Sequence, residues 1–185
     1  MRSLRNLFIL AVAILGISSL SVSAQSNAFG ANNTQGLERQ VRKEIMTQQY
    51  YGVFDAISFK VDGSTVYLYG SVVQPITKSG AERSIKRLDG VTDVVNKIEV
   101  LPLSNFDDSI RAGVVREFDR RGGNIYRYLQ GVNPPMRIIV KNGNVFLEGY
   151  VANRSDANLA RLLANSVFGV FKVTDNLIRE NETDR

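Results

Sequence analysis

Residues 66–72 read VYLYGSV and residues 145–151 read VFLEGYV, so the same apolar–glycine phrase returns after 79 positions. Sliding the chain on itself by 79 keeps register well beyond the phrase. Val61 falls on Val140, Leu68 on Leu147, Gly70 on Gly149 and Ala81 on Ala160. Further on, Gly90 meets Gly169, Val94 meets Val173 and Ile98 meets Leu177. A chance match would not persist through two glycines and three pattern types, so the chain is an internal duplication.

Each copy has the same pattern. Leu37, Val41 and Ile45 recur at helical spacing, then AISFKV and STVYLYGSV alternate around Asp62-Gly63-Ser64 as a hairpin. A second helix over about 77–88 carries Ala81, Ile85 and Leu88 on one stripe and stops at Gly90, before VTDVVNKIEV closes as a strand. In the second copy, Ile110, Val114 and Phe118 mark the first helix, and Asn142-Gly143 is a strong two-residue turn between MRIIV and NVFLEGYV. Residues 155–168 give the next helix and VFKVTDNLI the last strand. The leading helices are offset by 73 instead of 79, so about six extra residues sit within RGGNIYRYLQGVNPP. The fold class is α+β, with two αββαβ units, each a three-stranded sheet with two helices on one face. Boundaries fall at 37–101 and 106–180. Residues 25–36 are expected to be a disordered linker and 181–185 a tail. Gly70 and Gly149 are expected to permit a bend or a close backbone approach where the second strand leaves the sheet, and Arg137 to form a cross-strand ion pair with Glu148. Asp108 is expected to cap the helix that follows it.

Residues 1–24 have the plan of a secretory signal: Arg2 and Arg5, the apolar run LFILAVAILGI, then Val22-Ser23-Ala24 as a small-residue exit. That run is well short of the roughly 20 residues a spanning helix needs, and no Cys follows the cleavage point to take a lipid. Removing the signal takes away two basic residues and no acid, so the net charge falls from +5 to +3. The chain has no Cys and no His. Disulfides, soft-ligand zinc sites and Ser–His or Cys–His catalysis are excluded, and no cofactor is implied. Binding is the expected role, and catalysis is not.

The phrases Val66-Tyr67-Leu68-Tyr69-Gly70-Ser71-Val72 and Gly143-Asn144-Val145-Phe146-Leu147-Glu148-Gly149-Tyr150-Val151 are joined by the closing strands. These are Gly90-Val91-Thr92-Asp93-Val94-Val95-Asn96-Lys97-Ile98 and Gly169-Val170 with Val173 and Leu177. Together they resemble BON domains of bacterial envelope proteins. Asp175 departs from the Asn usual in that family, as does the insertion in the 120s. The resemblance implies export to the periplasm or beyond, and a non-enzymatic role in phospholipid binding, envelope integrity and osmotic stress.

Three features stand apart from core and turn. From Arg120 to Leu147 there are five basic residues, Arg120, Arg121, Arg127, Arg137 and Lys141, and no acid, interleaved with Ile125, Tyr126, Tyr128 and Leu129. Basic residues favour an anionic membrane surface and tyrosines its headgroup layer, whereas the plain reading is a solvated loop that plugs the core. Leu159 and Leu162 add an apolar ridge beyond the core stripe of their helix, open to an interdomain contact, an oligomer or lipid. Tyr67, Tyr69, Ile139, Phe146 and Tyr150 face away from the helices, where packing of one domain on the other would cover them, with a ligand surface as the alternative. The expected lipid-binding set is therefore Arg120, Arg121, Tyr126, Arg127, Tyr128, Arg137, Leu159 and Leu162. The expected partner is an anionic phospholipid surface. An envelope protein or a second copy of the chain is the alternative, and nucleic acid is not expected, because an exported chain rarely meets it.

Overall fold

In a computed structural model of the protein, residues 25–180 are described, with side chains from Thr34 onward. The signal pattern at 1–24 and the tail at 181–185 lie outside the described residues. The order is α1 (Gln25–Met46), β1 (Ala56–Asp62), β2 (Thr65–Val72), α2 (Pro75–Ile85), β3 (Asp93–Asn96) and β4 (Glu99–Val100). The second unit follows as α3 (Asn105–Arg121), a 3₁₀ segment (Gly123–Leu129), β5 (Met136–Lys141), β6 (Asn144–Val151), α4 (Arg154–Asn165) and β7 (Lys172–Arg179). Two separate apolar cores correspond to the two copies. One gathers Leu37, Val41, Ile45, Val66, Leu68 and Ile85; the other gathers Val114, Phe118, Ile138, Val145, Leu147 and Leu163.

Both sheets have the same wiring. A two-residue turn joins an antiparallel pair, β1 with β2 and β5 with β6, and the second strand then pairs in parallel with the closing strand. The Asn142-Gly143 turn carries positive φ at both residues, 51° and 75°, as a type I′ hairpin turn requires. The closing strand of the first unit is divided, since β3 and β4 pair with β2 on either side of Lys97-Ile98. In the second unit β7 is continuous. The replacement of Asn96 by Asp175 is absorbed locally. Asn96 accepts from the Ile98 amide at 3.1 Å and Asp175 from the Leu177 amide at 3.0 Å, the same contact two residues downstream. The donor that Asn96 turns to Lys78 and Glu82 is lost, and Asp175 pairs instead with Arg179 at 2.5 Å.

Four expectations need correction. The tract 25–36, expected to be a disordered linker, is the first half of α1. It contains no proline to break a helix seeded by the buried Leu37, Val41 and Ile45, and the helix extends toward its N-terminus despite Gly30 and Gly36. Asp108 does not cap α3. Ser104 does, accepting from the Asp107 amide at 3.1 Å, and Asp108 pairs with Arg111. Asp107 is fully buried and accepts from the turn amides of Asn142 and Gly143, both at 2.8 Å, tying α3 to the hairpin.

Arg137 does stand opposite Glu148 in the ladder, but it forms no ion pair there. Its guanidinium turns to the first unit, donating to the Gly52 carbonyl at 2.7 Å and lying 4.6 Å from the Tyr51 ring. That contact belongs to the interdomain joint, which also differs from expectation. The outer sheet faces are covered only in part: Tyr69 and Tyr150 remain exposed, Tyr67 and Phe146 are half-buried and Ile139 is buried. The hydrogen bonds between the units run along the edge of β5. The Ile138 amide donates to the Val53 carbonyl at 2.8 Å, and Val53 and Phe54 pack on the second core. Lys141 pairs with Glu99 at 2.6 Å. The loop before β1 thus occupies the unpaired edge of the other sheet, as an added strand would. Asp55 fixes this loop, accepting from the Gly52 amide at 2.8 Å and the Val73 amide at 2.7 Å.

Gly70 and Gly149 have φ of 113° and 102°. A Cβ at either would come within 2.0 Å of a carbonyl oxygen on the paired strand, Ala56 or Pro135. Gly70→Ala and Gly149→Ala are each expected to cost roughly 3 kcal/mol or more, read by urea denaturation. Burial raises the Asp55 carboxyl above its ordinary value, against the amides of Gly52 and Val73 and the cations Arg137 and Arg111. The folded state then holds the proton more tightly than the unfolded chain. Stability from this group is present at low pH and lost as pH rises through the raised value. The wild-type chain is expected to gain stability relative to Asp55→Asn on acidification toward the ordinary carboxylate value, measured by thermal melts across that range.

Candidate functional site on the helix face of the second domain

The outer side of α3 and the last turn of α4 form the most distinctive surface of the second unit. Ile110, Val114 and Phe118 turn one side of α3 into the core. The opposite side presents Ser109, Arg116 and Arg120 to a groove completed by Ser166, Val167 and Phe168 from the end of α4. The helices approach closely because Gly113 has no side chain; a Cβ there would meet Val167 Cγ1 at 2.6 Å. Arg121 spans the crossing, donating from Nε to Glu117 Oε2 at 2.5 Å and from Nη2 to Ser166 Oγ at 2.8 Å. Glu117 is thereby neutralised, and Arg116 and Arg120 carry the charge of the groove. The basic residues in the last turn of α3 also sit at the negative end of the helix dipole.

The α4 helix is capped by Asn153, whose side chain accepts from the Asp156 amide at 2.9 Å. It buries Ala157, Ala160, Leu163 and Ala164. Leu159 and Leu162 are exposed as expected, Leu162 at 64%. Leu159, Leu162 and Ser166 follow one another at spacings of three and four, so the ridge runs along the helix to the residue that Arg121 holds.

The structure divides the expected lipid-binding set. Arg120, Arg121 and Arg127 are exposed with Leu159 and Leu162. Tyr126 is half-buried against the core, beside the fully buried Ile125. Tyr128 is half-buried and uses its hydroxyl within the fold. Its hydroxyl donates to Asp156 Oδ2 at 2.6 Å and accepts from the Ala152 amide at 3.1 Å, pinning the 3₁₀ segment to the start of α4. Burial and the bond to Asp156 push the hydroxyl pKa up, so it stays a donor at neutral pH. Arg137, 8% exposed in the interdomain joint, is withdrawn from solvent. The insertion therefore plugs the core with its apolar residues while leaving Arg127 in solvent.

Sequence reading missed Arg116, Phe106, Phe168 and Phe171. Phe168 is 95% exposed, Phe171 74% and Phe106 45%. The Phe106 and Phe171 ring centroids lie 6.0 Å apart. The signal was present in the repeat. At an offset of 79, Phe168 and Phe171 replace Asp89 and Thr92, a polar-to-aromatic change on an otherwise matched turn.

A family model described as the BON domain matches residues 33–102 and 125–181. No curated protein matches the chain in sequence. Among solved structures, the C-terminal domain of CdsD, a structural protein of the Type III secretion system of Chlamydia trachomatis, is 11% identical with a TM-score of 0.30. That alignment covers 77% of this chain and 96% of that one. A second structure of CdsD aligns at 11% identity and a TM-score of 0.29, covering 80% and 95%.

Tyr128→Phe removes the donor to Asp156 and leaves the Ala152 amide without its acceptor. It is expected to lower stability by about 1–3 kcal/mol in urea denaturation.

Proposed function

The chain belongs to the BON-domain family, and from that premise we propose that it is an exported envelope protein that holds anionic phospholipid surfaces through the α3–α4 face of its second domain. BON domains are non-enzymatic binding modules associated with membranes, and two of them account for the chain's two cores. The signal pattern of residues 1–24 supports export to the periplasm. Among the described residues, no helix is long and apolar enough to cross a membrane.

One observation carries the assignment to this face: an exposed leucine ridge runs into a groove whose uncompensated charges are Arg116 and Arg120. Cations near an anionic leaflet contribute about 1 kcal/mol each, and apolar side chains beside them add burial that salt does not screen. The equivalent positions of the first domain are Gly80 and Arg83 in place of Leu159 and Leu162, which leaves that domain without the ridge. The second family match begins at residue 125, so α3 lies outside it, and the assignment of this face rests on the chain's own residues.

The test is co-sedimentation with phosphatidylglycerol vesicles. Binding is expected, weaker at high salt and weaker still to phosphatidylcholine. The Arg116→Glu/Arg120→Glu variant should bind at least tenfold less. Undiminished binding by that variant would remove the site. Self-association independent of lipid and abolished by Leu162→Asp would instead favour a protein contact on the same ridge.

A further inference from the structure

Phe106, Phe168 and Phe171 surround the turn between α4 and β7, at the end of the groove that holds Arg116 and Arg120. We propose that this cluster is an aromatic wedge that enters the acyl layer of an anionic bilayer while the two arginines stay among the phosphates. The proposal rests on the membrane reading above and deepens it, because it assigns the apolar part of the contact to particular side chains.

The first domain supplies an internal control. Its equivalent turn centres on Gly90, and Gly90 and Gly169 share a φ of 89°. The backbone bend is therefore the same, yet the first copy carries Asp89 and Thr92 where the second carries Phe168 and Phe171. On the leading helices, offset by 73, Asn33 corresponds to Phe106. The fold makes this turn with polar residues, so three aromatics are not a requirement of the turn.

The core does not claim them either: Phe168 is almost wholly in solvent. Glycines give the other two their places. A Cβ on Gly169 would lie 2.9 Å from Phe106, and one on Gly143 would lie 2.5 Å from Phe171. Phe106 and Phe171 are held in position without being buried, Phe168 projects into solvent beside them in sequence, and an exposed apolar patch of this kind marks a contact surface.

Charge selects the occupant. Arg116 and Arg120 share the groove with Phe168, and the exposed Lys172 follows Phe171 directly. The carboxylates in the first turn of α3 are already engaged, Asp107 by the hairpin amides and Asp108 by Arg111. An aromatic tip beside exposed cations matches the boundary between phosphates and acyl chains, where apolar and basic residues of interfacial proteins divide in this way.

The chain contains no Trp, so one substitution gives a clean reporter. Full-length mature Phe168→Trp, mixed with phosphatidylglycerol–phosphatidylcholine vesicles, is expected to show blue-shifted emission and quenching by lipids brominated in their acyl chains. Thr92→Trp, at the matching turn of the first domain, is expected to show neither. Phe168→Ser/Phe171→Ser should keep its far-ultraviolet dichroism and bind vesicles about tenfold more weakly. If Phe168→Trp co-sediments with vesicles while its emission and quenching stay unchanged, the wedge is wrong and the membrane reading stands. Equal shifts at both turns also overturn it. Absence of vesicle binding by the wild-type chain overturns both.

Discussion

In each domain the closing strand runs parallel to the strand that precedes the crossover helix. Parallel neighbours cannot be joined by a tight turn, so the chain must return along the length of the sheet, and the helix between them makes that return. This wiring, common to both domains, leaves one surface of each free to vary. The crossover helix is obliged to pack one stripe on the sheet, and its outer stripe and exit turn are left without structural duty. In α2 those positions carry Gly80, Arg83, Asp89 and Thr92; in α4 and its exit they carry Leu159, Leu162, Phe168 and Phe171. The scaffold is duplicated and the surface is not.

The joint between the copies places a second constraint on what can function. The loop from Tyr51 to Asp55 covers the exposed edge of β5, and Arg137 is spent on holding it there. Burial lowers the Arg137 pKa, with the Tyr51 ring and the Asp55 carboxylate opposing the shift. A basic residue that would read as part of a membrane patch is thus consumed in joining domains. Of the basic run from Arg120 to Lys141, Arg120, Arg121 and Arg127 stay exposed, and Arg116 of α3 is exposed beside them.

The features legible in the sequence were those set by short-range periodicity. The two cores, both hairpin turns, the glycine close approaches and the exposure of Leu159 and Leu162 all follow from patterns within a dozen residues. What stayed hidden depended on distant partners. Arg137 was assigned the residue opposite it in the ladder, because nothing in the sequence places Gly52 and Tyr51 alongside. Tyr128 looked like an interfacial tyrosine until Asp156 and Ala152 took its hydroxyl. The aromatic wedge was hidden for another reason. Phe168 and Phe171 follow the apolar Val167 and Val170 and read as core, and only comparison with the polar residues of the first copy separates them.

The central claim is that duplication left one domain as scaffold and turned the other toward the membrane. Nuclear magnetic resonance of the labelled mature chain on phosphatidylglycerol bicelles, with a paramagnetic lipid in the bilayer, tests it across every amide at once. Line broadening is expected at the start and outer side of α3, along the exposed ridge of α4 and through the turn at 166–172, with α1 and α2 unaffected. Broadening centred on α1 and α2, or spread evenly over both domains, would contradict the account.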